Sequence, residues 1–95
     1  MLPVGLGDLS AAARALLAVP MAGRVALMRR LIIKAATAAR HCRRHGRMHP
    51  RLGNGTLMAA ALARPQAFRQ APGDRAWLGA LGLAVAVILD HPATG

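Results

Sequence analysis

The stretch between Pro20 and Gly46 constrains the fold of this chain most. Apolar side chains recur in it at alternating spacings of three and four, which is the period of an amphipathic helix. The set with this spacing is Val25, Met28, Ile32, Ala35, Ala39 and Cys42. We therefore predict a helix from about residue 21 to residue 45, because proline ends the preceding segment and glycine favours a helix C-terminus.

The two sides of this predicted helix differ in chemistry. The apolar set, with Leu31 added, fills an arc of about 120° at the helical period. The opposite side carries Arg29, Arg30, Lys34, Arg40, His41 and Arg44. One side is thus expected to face a core and the other to face outward.

Shorter helices are predicted on both sides of it. A first helix should begin near Asp8 or Ser10, either of which can cap it, and run to about Val19. The segment from Gly46 to Gly55 contains too many glycine and proline residues for regular structure, so we expect an ordered loop. Thr56 should then cap a third helix that reaches residue 64, before a proline.

A fourth helix is predicted from Asp74, as its cap, to about Leu89. It is apolar nearly all round, which indicates central burial or a partner. Aromatic residues make up 2% of the chain and alanine supplies 22 of its hydrophobic residues, so a β-rich fold is disfavoured. We predict one all-α domain over residues 1–95, a small bundle of four helices with the second longest and the fourth most buried. Short frayed termini are expected at about 1–7 and 91–95.

The formal charge of +10 is unevenly distributed. No carboxylate occurs from residue 9 to residue 73, and that stretch holds twelve of the thirteen basic residues. Such a field favours RNA, DNA, an anionic membrane surface or an acidic protein, although a GC-rich coding bias would also produce it. The leading prediction is a non-enzymatic module that binds a polyanion, most simply nucleic acid. Its predicted contacts are Arg29, Arg30, Lys34, Arg40, Arg44, Arg47 and Arg51.

A second candidate site is an anion pocket at the predicted start of the third helix. Glycine-rich turns let consecutive backbone N–H groups converge, and a helix N-terminus adds partial positive charge. The residues are His49, Gly53, Asn54, Gly55 and Thr56. The alternative is an Asn-Gly turn followed by an ordinary threonine cap.

Metal binding and catalysis are both disfavoured. His41 and His45 have the i, i+4 spacing of a chelating pair, but Cys42 falls on the apolar side and Gly46 separates His49 from the helix. No carboxylate is near to orient the imidazoles. With one serine, one cysteine and three carboxylates, we expect no catalytic residue, no metal and no cofactor.

The sequence also bears on location. Cys42 is the only cysteine, so no internal disulfide forms and a reducing compartment is expected. The first residues lack the basic and apolar regions of a signal peptide. The apolar run 76–89 is about 21 Å long as a helix, too short for a bilayer core of about 30 Å. We expect a cytoplasmic protein that is not transmembrane.

The apolar helix 76–89 supports an alternative function, namely self-association or docking on another protein. Trp77 is a candidate anchor for such a partner, since tryptophan is enriched at interface centres. An ordinary place in the core is the simpler interpretation of the same residue.

Three segments resemble a family of short, uncharacterised helical proteins of alphaproteobacteria. They are Ala11–Pro20, Arg43–Pro50 and Gly53–Pro65. The part from Arg43 to Pro65 is the most specific. The resemblance implies a bacterial cytoplasmic protein and transfers no functional residue. It also implies acidic residues in the second helix and before the fourth, where this chain has 34–39 and 66–70. The high charge would then belong to this member rather than to the family.

Overall fold

The computed structural model describes residues 3–67 and 74–91. Within them the chain forms four helices: α1 (Leu6–Leu17), α2 (Met21–His45), α3 (Leu57–Leu62) and α4 (Arg75–Asp90). The all-α prediction is confirmed, with α2 the longest helix. In the described ranges, strand-type pairing is limited to one isolated antiparallel bridge between His49 and Gly53. The segment between α3 and α4 lies outside these ranges from residue 68 to residue 73.

Helix α1 is the centre of the bundle. It contacts each of the other three helices, and its buried residues are Ala11, Ala12, Ala13, Ala15 and Leu16. These alanines lie on several sides of α1. All are buried because the small methyl side chain lets a neighbouring helix approach closely on each side. The prediction that the fourth helix is most buried is wrong, since only Ala80, Ala84 and Val87 of α4 are buried.

The N-terminal boundary also differs from prediction. Helix α1 begins at Leu6 rather than at Asp8 or Ser10, so the predicted frayed terminus 1–7 is too long. The reason is that Asp8 lies in the first turn and its Oδ2 accepts from the backbone N–H of Gly5 at 2.8 Å. The aspartate thus closes the first turn from inside the helix. At the other end, His91 donates its backbone N–H to Val87 and Ile88, and 92–95 are outside the described ranges.

Helix α2 has the predicted bounds, and Gly46 ends it with φ +69° and a backbone N–H donated to the Cys42 carbonyl at 2.8 Å. Its buried positions cover an arc of about 180°, wider than predicted. They are Leu27, Met28, Leu31, Ile32, Ala35, Ala36, Ala38 and Ala39. Val25 is 37% exposed, contrary to prediction: its position falls inside the buried arc, but it lies near the start of α2, where it lines a pocket beside α4. Cys42 is half-buried rather than fully buried, with its Sγ 3.5 Å from the Asn54 carbonyl.

The two remaining caps follow the sequence. Thr56 caps α3 by accepting from the Ala59 N–H, although the helix ends at Leu62 rather than at 64. Asp74 caps α4 by accepting from the Trp77 N–H at 3.1 Å. One cluster of buried residues draws on all four helices, and most of its members are alanine. The core is therefore thin, and the stability of the bundle depends on close helix contact more than on large side chains.

Candidate polyanion-binding surface

Five of the predicted contacts lie together on the outer side of α2 and are called the basic face here. At the helical period they fall within an arc of about 140°, on the side opposite the buried positions. Lys34 is half-buried and the others are exposed. The basic face extends for about 22 Å along the helix at 1.5 Å per residue. Its members are Arg29, Arg30, Lys34, Arg40 and Arg44.

The two predicted contacts in the loop are placed differently. Arg47 and Arg51 are both exposed. Arg47 lies close enough to His41 that its charge helps to lower the pKa of that imidazole. Arg51 donates its backbone N–H to His49 Nδ1 at 3.0 Å, and no contact in the described part of the chain joins its side chain to the basic face. The loop thus extends the basic face through Arg47.

Two of the three carboxylates in the described residues are used elsewhere. Asp8 and Asp74 both accept from backbone N–H groups at helix N-termini. Within the basic face, Arg40 donates to the Thr37 hydroxyl at 3.3 Å on the same helix. Because the sequence has no carboxylate from 9 to 73, neither α2 nor the loop after it can supply a counter-charge.

Ile33 is a member of this surface that sequence reasoning missed. Its side chain is 54% exposed, and its position on the helix lies between those of Arg29 and Arg30. The signal was present in the sequence: at the helical period, Ile33 falls outside the apolar set and among the cations, whereas Ile32 falls in the apolar set and is buried. The basic face therefore includes a central apolar contact.

The predicted anion pocket at the start of α3 already has internal partners. The Met58 N–H donates to Asp8 Oδ1 at 2.9 Å, and the Thr56 N–H donates to Asn54 Oδ1 at 3.0 Å. Gly53 donates its N–H to the His49 carbonyl, and Gly55 is buried. The anion at this helix N-terminus is thus the Asp8 carboxylate of the chain itself, and the pocket prediction gives way to the Asn-Gly turn with a threonine cap.

Three histidines meet at the C-terminal end of α2. The ring of His41 lies 4.4 Å from that of His45 and 4.7 Å from that of His49, measured between centroids. Gly46 ends the helix before His49, as predicted, but the chain reverses at this left-handed residue and brings the ring of His49 back beside α2. A cleft of about 190 Å³ lies here, and its lining is Thr37, Arg40, His41, Arg44, His45 and His49.

Neighbouring groups act on two of these imidazoles, those of His41 and His49. Partial desolvation, then the neighbouring His45, His49, Arg47 and Arg44, lower the pKa of His41 below its ordinary 6.5. His49 Nδ1 accepts two backbone N–H groups, those of Arg51 and Leu52, each at 3.0 Å. Over 3–67 and 74–91, no group of three or more ligand side chains has an arrangement that could hold a metal ion.

The outer side of α4 is apolar and exposed. Leu78, Val85 and Leu89 are 53%, 39% and 80% exposed, and with Gly82 they follow spacings of four, three and four residues. They form one stripe along the helix, called the α4 stripe here. Trp77 is half-buried and packs on the core instead. The partner-anchor interpretation of Trp77 therefore has less support than the interpretation as a core residue.

Comparison with known proteins gives one match. Residues 2–88 match a family described as a domain of unknown function, DUF7742. No curated protein and no solved structure matches the chain. Across the residues that the structure describes, none of the helices has both the length and the apolar character needed to cross a bilayer.

Proposed function

Since this chain belongs to the DUF7742 family, whose description leaves function open, we propose its role from its own surfaces: a small non-enzymatic module that binds nucleic acid. The observation that carries the proposal is the basic face, five cations within one arc of α2. Neither that helix nor the following loop contains a carboxylate. Like charges at i, i+4 on a helix repel one another, so a bound polyanion would relieve an unfavourable arrangement.

The shape of the basic face suits a phosphate backbone. The basic face is about 22 Å long, which is several times the spacing of about 3.4 Å between phosphates along one strand. It can therefore contact several phosphates at once. Four of its five cations are arginines, whose planar guanidinium groups bind phosphate oxygens in pairs. With one tryptophan, one phenylalanine and no tyrosine in the chain, stacking on several bases is not available. We infer contact with the backbone rather than with particular bases.

A salt titration tests this proposal. Binding to a random duplex and to a random single strand should weaken as salt rises, because bound counterions are released from the nucleic acid. If the five cations of the basic face act together, the slope of log K against log salt on the duplex should be about −4.5. An absence of binding at about 50 mM salt, well below physiological ionic strength, would contradict the proposal.

A matched pair of variants places the binding on the basic face. Arg29→Gln with Arg30→Gln should lower the salt slope by about two, one for each lost phosphate contact. Arg75→Gln removes the same kind of charge from an exposed position on α4 and should change the slope little. Equal losses in both proteins would indicate attraction by net charge alone.

A variant at Ile33 distinguishes nucleic acid from an acidic protein as the partner. A phosphate backbone offers no apolar pocket, so Ile33→Ser should change nucleic-acid affinity by less than about threefold. On a protein partner, an exposed isoleucine at the centre of a contact is expected to matter more, and its loss should weaken binding by about tenfold or more. A complex that depends strongly on Ile33 would therefore indicate a protein partner.

The α4 stripe favours a second candidate function, self-association. Three exposed aliphatic side chains on one helix face, with Gly82 between them, can pair with the same stripe on a second copy across a two-fold axis. Light scattering over a concentration series tests this, with Leu89→Ser as the variant that should remove any dimer. A strict monomer at all concentrations would leave nucleic-acid binding as the better candidate.

For location we propose the reducing interior of a bacterial cell. Support comes from the single Cys42, which has no partner for an internal disulfide, and from the resemblance to alphaproteobacterial proteins. The few nucleophiles and carboxylates of the chain support a role without catalysis.

A further inference from the structure

The histidine cleft at the end of α2 is the most distinctive polar feature of the molecule. Its lining combines one hydroxyl, two guanidinium groups and three imidazoles within about 190 Å³. Two of these residues, Arg40 and Arg44, also belong to the basic face. The cleft is therefore a recess at one end of a strip that we propose to follow a nucleic-acid backbone.

The hydrogen bonds of His49 decide between a cation and an anion as the occupant. Its Nδ1 accepts from the N–H groups of Arg51 and Leu52, so its proton is on Nε2. A protonated nitrogen donates and cannot ligate a metal ion. The remaining pair, His41 and His45, has cationic neighbours that include Arg44 and Arg47, and these oppose a metal cation. The cleft is thus equipped to donate hydrogen bonds.

We propose that this cleft binds a doubly charged tetrahedral oxyanion, the terminal phosphate of a nucleic-acid strand. The phosphate chemistry follows from the cleft alone, whereas the strand as its source rests on the proposed function. A terminal phosphate has close to two negative charges near neutral pH, compared with one on each internal phosphodiester. A recess lined by several donors suits a strand end better than a strand that continues past it.

Binding of this kind takes up protons. The lowered pKa of His41 in the free protein favours its neutral imidazole near pH 7, and a bound dianion favours the charged form. For a dianion whose own charge is constant, such as sulfate, affinity should therefore rise as pH falls from about 7.5 to 6. The charged and titratable groups around His41 are Arg40, Arg44, His45, Arg47 and His49. Helix α3, the element packed against this part of α2, has no titratable side chain.

Sulfate is the probe for the cleft itself, because its charge does not change over this pH range. Imidazole signals are followed by NMR during titration with sodium sulfate, at ionic strength kept constant with chloride. The proposal expects a saturable shift of the His41 and His45 signals, with affinity about tenfold higher at pH 6 than at pH 7.5. The absence of a saturable shift would overturn it, as would a saturable shift produced by zinc under the same conditions.

Variants locate the site. Arg40→Gln with Arg44→Gln should weaken sulfate binding at least tenfold, as expected when charge-assisted hydrogen bonds are lost. Arg75→Gln removes a charge of the same kind from α4, outside both the cleft and the basic face, and should retain the binding. His45→Gln is a second cleft variant, kept in case the double change unfolds the chain, and should reduce both affinity and pH dependence. Equal effects of cleft and control variants would overturn the proposal.

A pair of oligonucleotides identifies the source of the phosphate. Single strands of one sequence, with a 5′-phosphate or a 5′-hydroxyl, are compared at a fixed salt concentration. The proposal expects the phosphorylated strand to bind about tenfold more tightly, with the preference lost in Arg40→Gln with Arg44→Gln. Equal binding of both strands would overturn the strand end as the ligand. If sulfate binds but neither strand does, the proposed function fails and free phosphate becomes the ligand of the cleft.

Discussion

The start of α3 and the outer side of α2 are both electropositive, yet the chain treats them in opposite ways. At the start of α3, the positive end of the helix is met by Asp8, whose Oδ1 accepts the Met58 N–H at 2.9 Å. On the basic face, the cations of α2 have no carboxylate in their own helix or in the following loop. One of the three aspartates, Asp8, therefore neutralises a helix end inside the bundle. The segment from residue 9 to residue 73, which includes the basic face, contains no carboxylate.

This contrast separates structural charge from charge available to a ligand. The positive end of α3 is neutralised by a short hydrogen bond between distant parts of the chain, since Asp8 and Met58 are 50 residues apart. The cations of the basic face have no such contact with a carboxylate of α2 or of the loop that follows it. Changes at the first region should therefore affect stability, and changes at the second should affect binding.

The largest expected effect is at Gly55, which closes the turn before α3. Its φ is +92°, and an added Cβ would lie 2.7 Å from the Cα of Ala39. Gly55→Ala would combine an unfavourable backbone conformation with a clash against the backbone of α2. We expect a loss of about 3 kcal/mol in the free energy of unfolding, measured by urea denaturation.

Gly46→Ala is the matched control for this prediction. Gly46 also has a positive φ, +69°, but an added Cβ there meets nothing within 4 Å. The control should lose only about 1 kcal/mol, the conformational part of the effect. If both variants lose the same amount, the contact between Gly55 and α2 does not hold the turn in place.

Asp8 gives the next effect in size. Asp8→Ala removes two hydrogen bonds, to the N–H groups of Gly5 and Met58, and should destabilise the protein by about 2 kcal/mol. Asp74→Ala removes one cap bond, to Trp77, and should lose about 1 kcal/mol.

Asp90→Asn is the control for charge in this comparison. Asp90 is the last residue of α4, where a carboxylate faces the negative end of the helix, so its neutralisation should be neutral or stabilising by about 0.3 kcal/mol. Thermal unfolding of the three variants at pH 7 measures the order. A loss at Asp8 no larger than that at Asp74 would show that the link to α3 contributes nothing.

The parts of the structure that depend on local pattern were predictable. The bounds of α2 follow from Pro20, Gly46 and the apolar period between them, and the caps Thr56 and Asp74 follow from side-chain chemistry. The outward direction of the basic face was predictable for the same reason, since one period fixes both sides of a helix.

Features that depend on contacts between distant residues were not predictable. The central position of α1 follows from alanines that permit close approach on several sides, and a pattern that searches for one apolar stripe does not detect it. The return of His49 to α2 depends on the loop geometry after Gly46. The Asp8 contact at the start of α3 joins residues far apart in sequence, so the sequence did not indicate that a carboxylate of the chain itself lies where the anion pocket was predicted.

A small effect on stability is expected at Lys34, and it tests the contrast from the side of α2. Lys34 follows Arg30 by one helical turn, so the two cations repel each other. Lys34→Glu would replace this repulsion by attraction and should stabilise the protein by about 0.5 kcal/mol. Lys34→Gln should give about half of that gain, and both gains should shrink at about 1 M salt, where the Debye length is about 3 Å.

Lys34→Glu should also weaken nucleic-acid binding more than Lys34→Gln, because it adds a carboxylate to the basic face. A variant that gains stability while losing affinity would show that this charge serves a ligand rather than the fold, whereas a loss of stability would place Lys34 among the residues that hold the bundle together.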